Sequence, residues 1–229
     1  MSSPERPPAS GPTATRSTFT PALAYSVLTP AYDTALEVLG FGRSFKAAVA
    51  ELADVQPGEV VLDLGCGTGT LLQALVARQS KARFTGIDPD PKVLSMARRR
   101  LQGSTQVELV EGYAQSLPFP HASFGLVVST LIFHHLGDPV KLAALAEVRR
   151  VLAPHGRFLL VDFGVPPTRV ARVLLRVGSL FDGRENMRAN LAGELPEMLA
   201  AAGFEVAEVG RPHRGVRHLL ARLQAAPAS

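Results

Sequence analysis

At 229 residues, with 46% hydrophobic and 19% charged, the chain has the length and apolar content of one domain with a sizeable core, which excludes a wholly disordered or fibrous protein. Its formal net charge of +4 is a mild basic excess that suits an anionic substrate or a membrane surface and establishes neither. The single cysteine, Cys66, excludes an intramolecular disulfide framework and makes a reducing, cytoplasmic setting the expectation. No apolar run reaches the length of a membrane span, and the first residues lack the apolar core of a signal peptide.

In chain order, residues 1–20 are rich in Ser, Pro and Thr and have little to bury, so they read as a disordered leader. Residues 21–56 read as helices: Ala22 to Leu28, Tyr32 to Leu39, and about Arg43 to Ala53, ending at the turn Gln56-Pro57-Gly58-Glu59. Val60-Val61-Leu62-Asp63-Leu64 then has the composition of a strand buried on both faces. It runs into Gly65-Cys66-Gly67-Thr68-Gly69, and Thr70 to Ala77 has helical composition. A glycine loop between a strand and a helix N-terminus offers backbone N–H groups and the positive end of a dipole to a polar ligand. The dinucleotide fingerprint would need a further glycine at position 70, which is threonine. Asp63 would also repel a pyrophosphate, whereas it suits an ammonium group, so the residues favour a ligand with an amine and a ribose.

Val60 to Gly69 resembles the first motif of the class I S-adenosylmethionine-dependent methyltransferases. That resemblance implies an α/β, Rossmann-like sheet of seven mostly parallel strands, with helices on both faces and an antiparallel last strand. It implies S-adenosyl-L-methionine as cofactor, and a cofactor-binding methyltransferase domain over residues 57–224. It makes the helices of 21–56 a cover over the site, with Tyr25, Tyr32 and Phe41 as lid residues; packing against the sheet is the competing role. Asp63, Gly65, Cys66, Gly67 and Thr68 become cofactor contacts.

Phe84-Thr85-Gly86-Ile87-Asp88 reads as the second strand, and its acid stands 19 residues beyond Gly69, the interval of one strand–helix–strand unit. A carboxylate there can accept from both hydroxyls of a ribose. Gly86-Ile87-Asp88-Pro89-Asp90 is similar to the family's second motif, which implicates Asp88 and Pro89. Asp90, before Pro91, is expected to cap the helix Lys92 to Leu101. The run Arg98-Arg99-Arg100 reads as a solvated, dipole-complementing face, so no nucleic-acid partner is expected.

Val107 to Gly112 reads as the third strand, and Tyr113-Ala114 follows where relatives place Gly-Asp-Ala; Tyr113 and Ala114 are the expected adenine contacts. Phe124 to Ser129 is the fourth strand, with Gly125 where relatives usually have Asp. Ser129-Thr130-Leu131-Ile132-Phe133-His134-His135-Leu136 resembles the family's segment at the mouth of the site. It implicates Ser129 and Thr130 at the cofactor, and Phe133 and His134 beside Tyr25 and Tyr32 at the acceptor. The Asn/Asp-Pro-Pro-aromatic sequence of nucleobase amino-methylation is missing here, as are the cysteines needed for pyrimidine carbon or arsenite methylation.

Asp138-Pro139 opens a helix from Val140 to Leu152, with Glu147, Arg149 and Arg150 outward, and Ala153 to Gly156 turns into the fifth strand, Arg157 to Phe163. Residues 168–181 form a basic amphipathic stretch, suited to peripheral contact with an anionic membrane or to covering its own pocket. Leu195 to Ala202 is the last helix, Gly203 to Val206 opens the sixth strand and Gly215 to Leu223 makes the seventh.

A sulfonium is already an activated leaving group, so catalysis is mainly alignment and exclusion of water. A base is needed only where the acceptor must lose a proton, and His134 and His135 are the catalytic candidates, with Tyr25, Tyr32 and His213 behind them. The expected activity is methyl transfer to a small, apolar, phenolic or quinone-like acceptor, with no metal. Two other readings stay open: methylation of a phospholipid head-group amine, and a non-catalytic S-adenosylmethionine-binding protein, which Tyr113 and Gly125 would favour. The acceptor's identity, the methylated atom and the oligomeric state are not encoded in any motif.

Overall fold

A computed structural model describes residues 40–166, 168 and 185–224. The expected leader, the first two cover helices with Tyr25 and Tyr32, and nearly all of the basic stretch 168–181 lie outside the described residues.

The elements in order are α1 (Arg43–Leu52), β1 (Val60–Leu64), α2 (Thr70–Arg78), β2 (Arg83–Asp88), α3 (Pro91–Arg100), β3 (Val107–Glu111) and β4 (Phe124–Thr130). A single 3-10 turn (Phe133–His135) precedes α4 (Asp138–Val151), β5 (Leu152–Phe163), α5 (Arg188–Ala192), α6 (Leu195–Ala201), β6 (Phe204–Glu208) and β7 (Val216–Leu223). The seven strands form one sheet in the order β3-β2-β1-β4-β5-β7-β6. β1 to β5 are mutually parallel, and β7 runs antiparallel to both β5 and β6. The expected architecture and its antiparallel last strand are therefore observed.

Alternation along the strands builds a core on each face. Val61, Leu126, Val128, Leu159 and Val161 pack with Phe45 and Val49 of α1, Leu71, Leu72 and Leu75 of α2, and Leu94. Leu62, Leu64, Val127, Phe158 and Leu160 pack on the other side with Ala144, Leu145 and Val148 of α4, and Leu195 and Leu199 of α6. Both faces being covered is why these strands read as unbroken apolar runs. Strand order reverses between β1 and β4, and in open α/β sheets the crevice outside the carboxyl ends at that switch point takes the ligand.

Three local differences from the sequence reading have physical causes. The turn Ala153 to Gly156 is an excursion within β5: Leu152 pairs with Phe124 and Arg157 with Leu126, so four residues bulge out opposite Gly125. Gly125 lies at the other end of β4 from the crevice, where a Cβ would stand 3.0 Å from Glu59 Oε1. Glu59 pairs there with Arg157, which also donates to the carbonyls of Ala53 and Asp54. Gly125 thus makes room for a structural ion pair. Glu147 and Arg150 are also tied in: Glu147 Oε2 accepts from the Leu117 N–H, and Arg150 donates to Glu147 and to the carbonyls of Leu117 and Phe119.

Candidate active site

The glycine loop fills the gap between β1 and α2. Gly65 has φ 76°, and a Cβ there would lie 2.5 Å from Ile132 Cγ2, so the loop can press against the segment after β4 only as glycine. Gly67 has φ 52°, yet a Cβ on it would meet nothing within 4 Å. Its left-handed backbone faces open space, the local condition for close approach of a ligand. The Gly65 and Cys66 N–H groups donate to the Ile87 carbonyl at 2.9 and 3.0 Å, which fixes the loop to the end of β2.

Asp88, at that end of β2, accepts from the Gly67 N–H through Oδ2 and from the Asp90 N–H through Oδ1, both at 3.0 Å. Burial raises its pKa although these two bonds oppose the shift. Asp90 caps α3 as expected, accepting from the Lys92 N–H at 2.8 Å with Pro91 following. Cys66 turns its side chain into the first core, so it offers the loop only its backbone. Burial pushes its thiol up, with the charges of Asp63 and Asp88 adding to the shift. Thr68 also turns away, its hydroxyl 3.1 Å from that of Thr70. Arg100 corrects the reading of the arginine run as a purely solvated face: its Nη1 donates to the carbonyl and hydroxyl of Thr68 and to the Thr70 hydroxyl. Tyr113 follows β3 beside this end of the loop, bridges to Ser116 and is 43% exposed.

Asp63 is 1% exposed, and neither carboxylate oxygen has a hydrogen-bond partner. Burial pushes its pKa up to about 7, against the opposing field of Lys46 and with the charge of Asp88 adding to the rise. A buried carboxylate without partners is costly in isolation and suits a cationic ligand group. Lys46, a residue the helical pattern of α1 did not single out, donates from Nζ to Thr130 Oγ1 at the end of β4. Ser129, fully buried, spends its hydroxyl on the Leu64 carbonyl at 3.0 Å and so joins β4 to β1.

Beyond β4 the chain turns sharply. Leu131 has φ 59°, a conformation that costs a side-chain-bearing residue of order 1–3 kcal/mol. Its N–H bonds the Val161 carbonyl. Phe133, expected at the acceptor, is wholly buried in the second core with its ring packed toward Phe158. His134 Nδ1 lies 2.8 Å from Asp162 Oδ1. Asp162, at the end of β5, also accepts from the N–H groups of Phe133 and Phe163 at 2.7 Å and from Asn190 Nδ2 at 3.2 Å. Burial acts to raise the Asp162 pKa, but His134 and these backbone donors outweigh it and hold the carboxyl below its usual range. The ring of His135 lies 3.9 Å from that of His134, and burial with the neighbouring imidazole lowers its pKa to about 3. His135 is therefore neutral at ordinary pH. Phe163 packs edge-on to His134, and Phe41 edge-on to Phe163, which sets Phe41 one ring away from the histidine. His213 is further out, bonded to the Gly40 carbonyl and packed on Phe41.

Asp162 and Asn190 were not singled out from the sequence. An acid ending a strand after the motif strands was a usable signal for Asp162; Asn190 lies on a five-residue helix with no motif of its own.

Residues 61–156 match the model of a methyltransferase domain. The chain is 35% identical over 203 residues to the demethylmenaquinone methyltransferase of Thermus thermophilus, covering 80% of this chain and 91% of that protein. It is 30% identical over 198 residues to a ubiquinone/menaquinone biosynthesis C-methyltransferase of Shewanella pealeana, covering 76% of this chain and 78% of that one. Among solved structures, an S-adenosylmethionine-dependent methyltransferase from Aquifex aeolicus superposes with a TM-score of 0.63 at 21% identity, covering 78% of this chain and 89% of that one.

Proposed function

Since the chain belongs to the class I S-adenosylmethionine-dependent methyltransferases, we propose that its acceptor is a small phenolic or quinol-like ring that gives up a proton as it is methylated. The observation that carries this reading is the buried pair of His134 and Asp162 at the carboxyl edge of the sheet. An amine that is already neutral needs no base, whereas a phenol or an activated ring carbon does. The relatives named for demethylmenaquinone support the same class. The phospholipid alternative rested on residues 168–181, nearly all outside the described residues. Gly125, one of two features favouring a non-catalytic binder, is accounted for by the Glu59–Arg157 pair.

The residues present fit the cofactor. Asp63, with both oxygens unpartnered, takes the ammonium group; Gly67 leaves room for the chain of the ligand; and Asp88 has lone pairs left for the ribose hydroxyls. Tyr113 and Ala114 stand at the base end. The cofactor supplies a methyl group on a sulfonium, activated without help from the protein. Ionised Asp162 accepts the Nδ1 proton of His134 and so leaves Nε2 as the atom that takes the acceptor's proton. His134 would take up the proton released by the acceptor as the acceptor received the methyl group that the cofactor would supply.

A labelled-methyl assay across acceptors tests this. Reduced naphthoquinols or phenols should accept label, and His134→Gln should lower kcat by about a hundredfold or more, the usual worth of a general base. His135→Gln should act more weakly. Transfer to a phospholipid amine, or full activity in the His134 variant, would contradict the proposal.

A further inference from the structure

The buried Asp162 draws its hydrogen bonds from three places in the chain. Phe133 and Phe163 give backbone N–H groups, His134 gives Nδ1 and Asn190 on α5 gives Nδ2, and Oδ1 alone takes three of these four. Asn190 is fully buried, and its Nδ2 bridges the Asp162 carboxylate at 3.2 Å to the Phe163 carbonyl at 3.1 Å. Its Oδ1 has no partner. An unpaired buried amide oxygen costs free energy that a leucine of similar size would not. What the asparagine supplies instead is a neutral donor aimed at Asp162. Lys141, whose field also reaches Asp162, spends its ammonium on Asp138 and the Asn186 carbonyl. Among the described residues Asp162 is bonded by no lysine or arginine, so its charge stays directed at His134. The donor is also held from outside the sheet, since Arg188 at the start of α5 bonds Asp138 and Glu194.

We propose that Asn190 is a positioning residue for methyl transfer: its amide fixes the Asp162 carboxylate so that the His134 proton stays on Nδ1 and Nε2 stays free for the acceptor's proton. The segment that returns to the sheet after position 184 then helps to set the base, although it carries no motif. This rests on the reading of His134 as the base. Asn190 acts only through Asp162 and His134, so its contribution vanishes when His134 is gone.

The test has two arms on the full chain. Nitrogen NMR of the histidine-labelled protein, which needs no acceptor, should show His134 protonated on Nδ1, a signal assigned by its loss in His134→Gln. Asn190→Leu should turn that signal into a mixture of both tautomers. With a reduced naphthoquinol as acceptor, Asn190→Leu should lower kcat by about tenfold and leave KM within about twofold, the pattern of a misplaced catalytic group. In the His134→Gln background the same substitution should cost less than about twofold. Calorimetry with S-adenosylhomocysteine checks that each variant is folded, and if Asn190→Leu is not, the smaller Asn190→Ser takes its place in both arms. An unmoved His134 signal, or an equal loss of kcat with and without His134, would make Asn190 only an anchor of α5 and overturn the proposal. Full activity in His134→Gln alone would overturn it at a different point, by removing the base on which it rests.

Discussion

On the proposed binding mode, Asp63 links cofactor binding to pH. Its pKa is raised from 3.8 to about 7, first by burial. A carboxyl whose folded value is raised contributes stability that is complete below the unfolded value and lost as pH rises through about 7. The ammonium group favours the ionised form, so binding must pull the proton off. Cofactor affinity should therefore climb from pH 5 toward about 7 and then level, with proton release on binding near pH 6. Calorimetry in two buffers of different ionisation enthalpy measures that release, and Asp63→Asn should abolish it along with most of the affinity. Asp88→Ala should likewise lose the cofactor with the fold intact. At the far end of β4, Gly125→Asp would set a second carboxylate against Glu59 and should cost about 1–3 kcal/mol of stability by thermal melting. Such roles are unevenly legible. Asp63 and Asp88 announce themselves because an acid ending an apolar strand has few uses. Lys46 does not, since its bond to Thr130 depends on where α1 docks.

At the level of elements, the strands and helices around the glycine loop were readable because each is bounded by its own chemistry: Asp90-Pro91 opens α3, and Asp138-Pro139 begins α4. The connections were harder. Nothing local in Arg98-Arg99-Arg100 tells which arginine reaches across to Thr68 and Thr70. Arg100→Met should loosen the loop, weaken the cofactor by about tenfold and speed amide exchange at residues 65–69, since it removes charge-assisted bonds that hold that turn. The return segment after position 184 was equally silent. Lys141, fully buried on α4, donates to Asp138 and to the Asn186 carbonyl, Asn186 donates to the His135 carbonyl, and Asn190 donates to Asp162. Lys141→Met removes its bonds to Asp138 and to the Asn186 carbonyl, leaves Asp138 to Arg188, and should cost about 1–3 kcal/mol in thermal or denaturant unfolding.

Across the whole molecule, the sheet divides the labour. The half from β3 to β1 carries Asp88 and the glycine loop, and β4 and β5 bring Thr130, the histidines and Asp162 to the same carboxyl edge. The switch in strand order brings the two halves to one crevice, which the motif spacing anticipated and no single residue could reveal. Among the described residues no helix is long and apolar enough to cross a membrane. The most direct test is a crystal structure with S-adenosylhomocysteine bound. The ammonium group should lie within hydrogen-bond reach of Asp63, the ribose on Asp88, and the sulfur turned toward His134. A nucleoside bound away from Gly67, or one whose sulfur faces away from the histidine, would contradict the account.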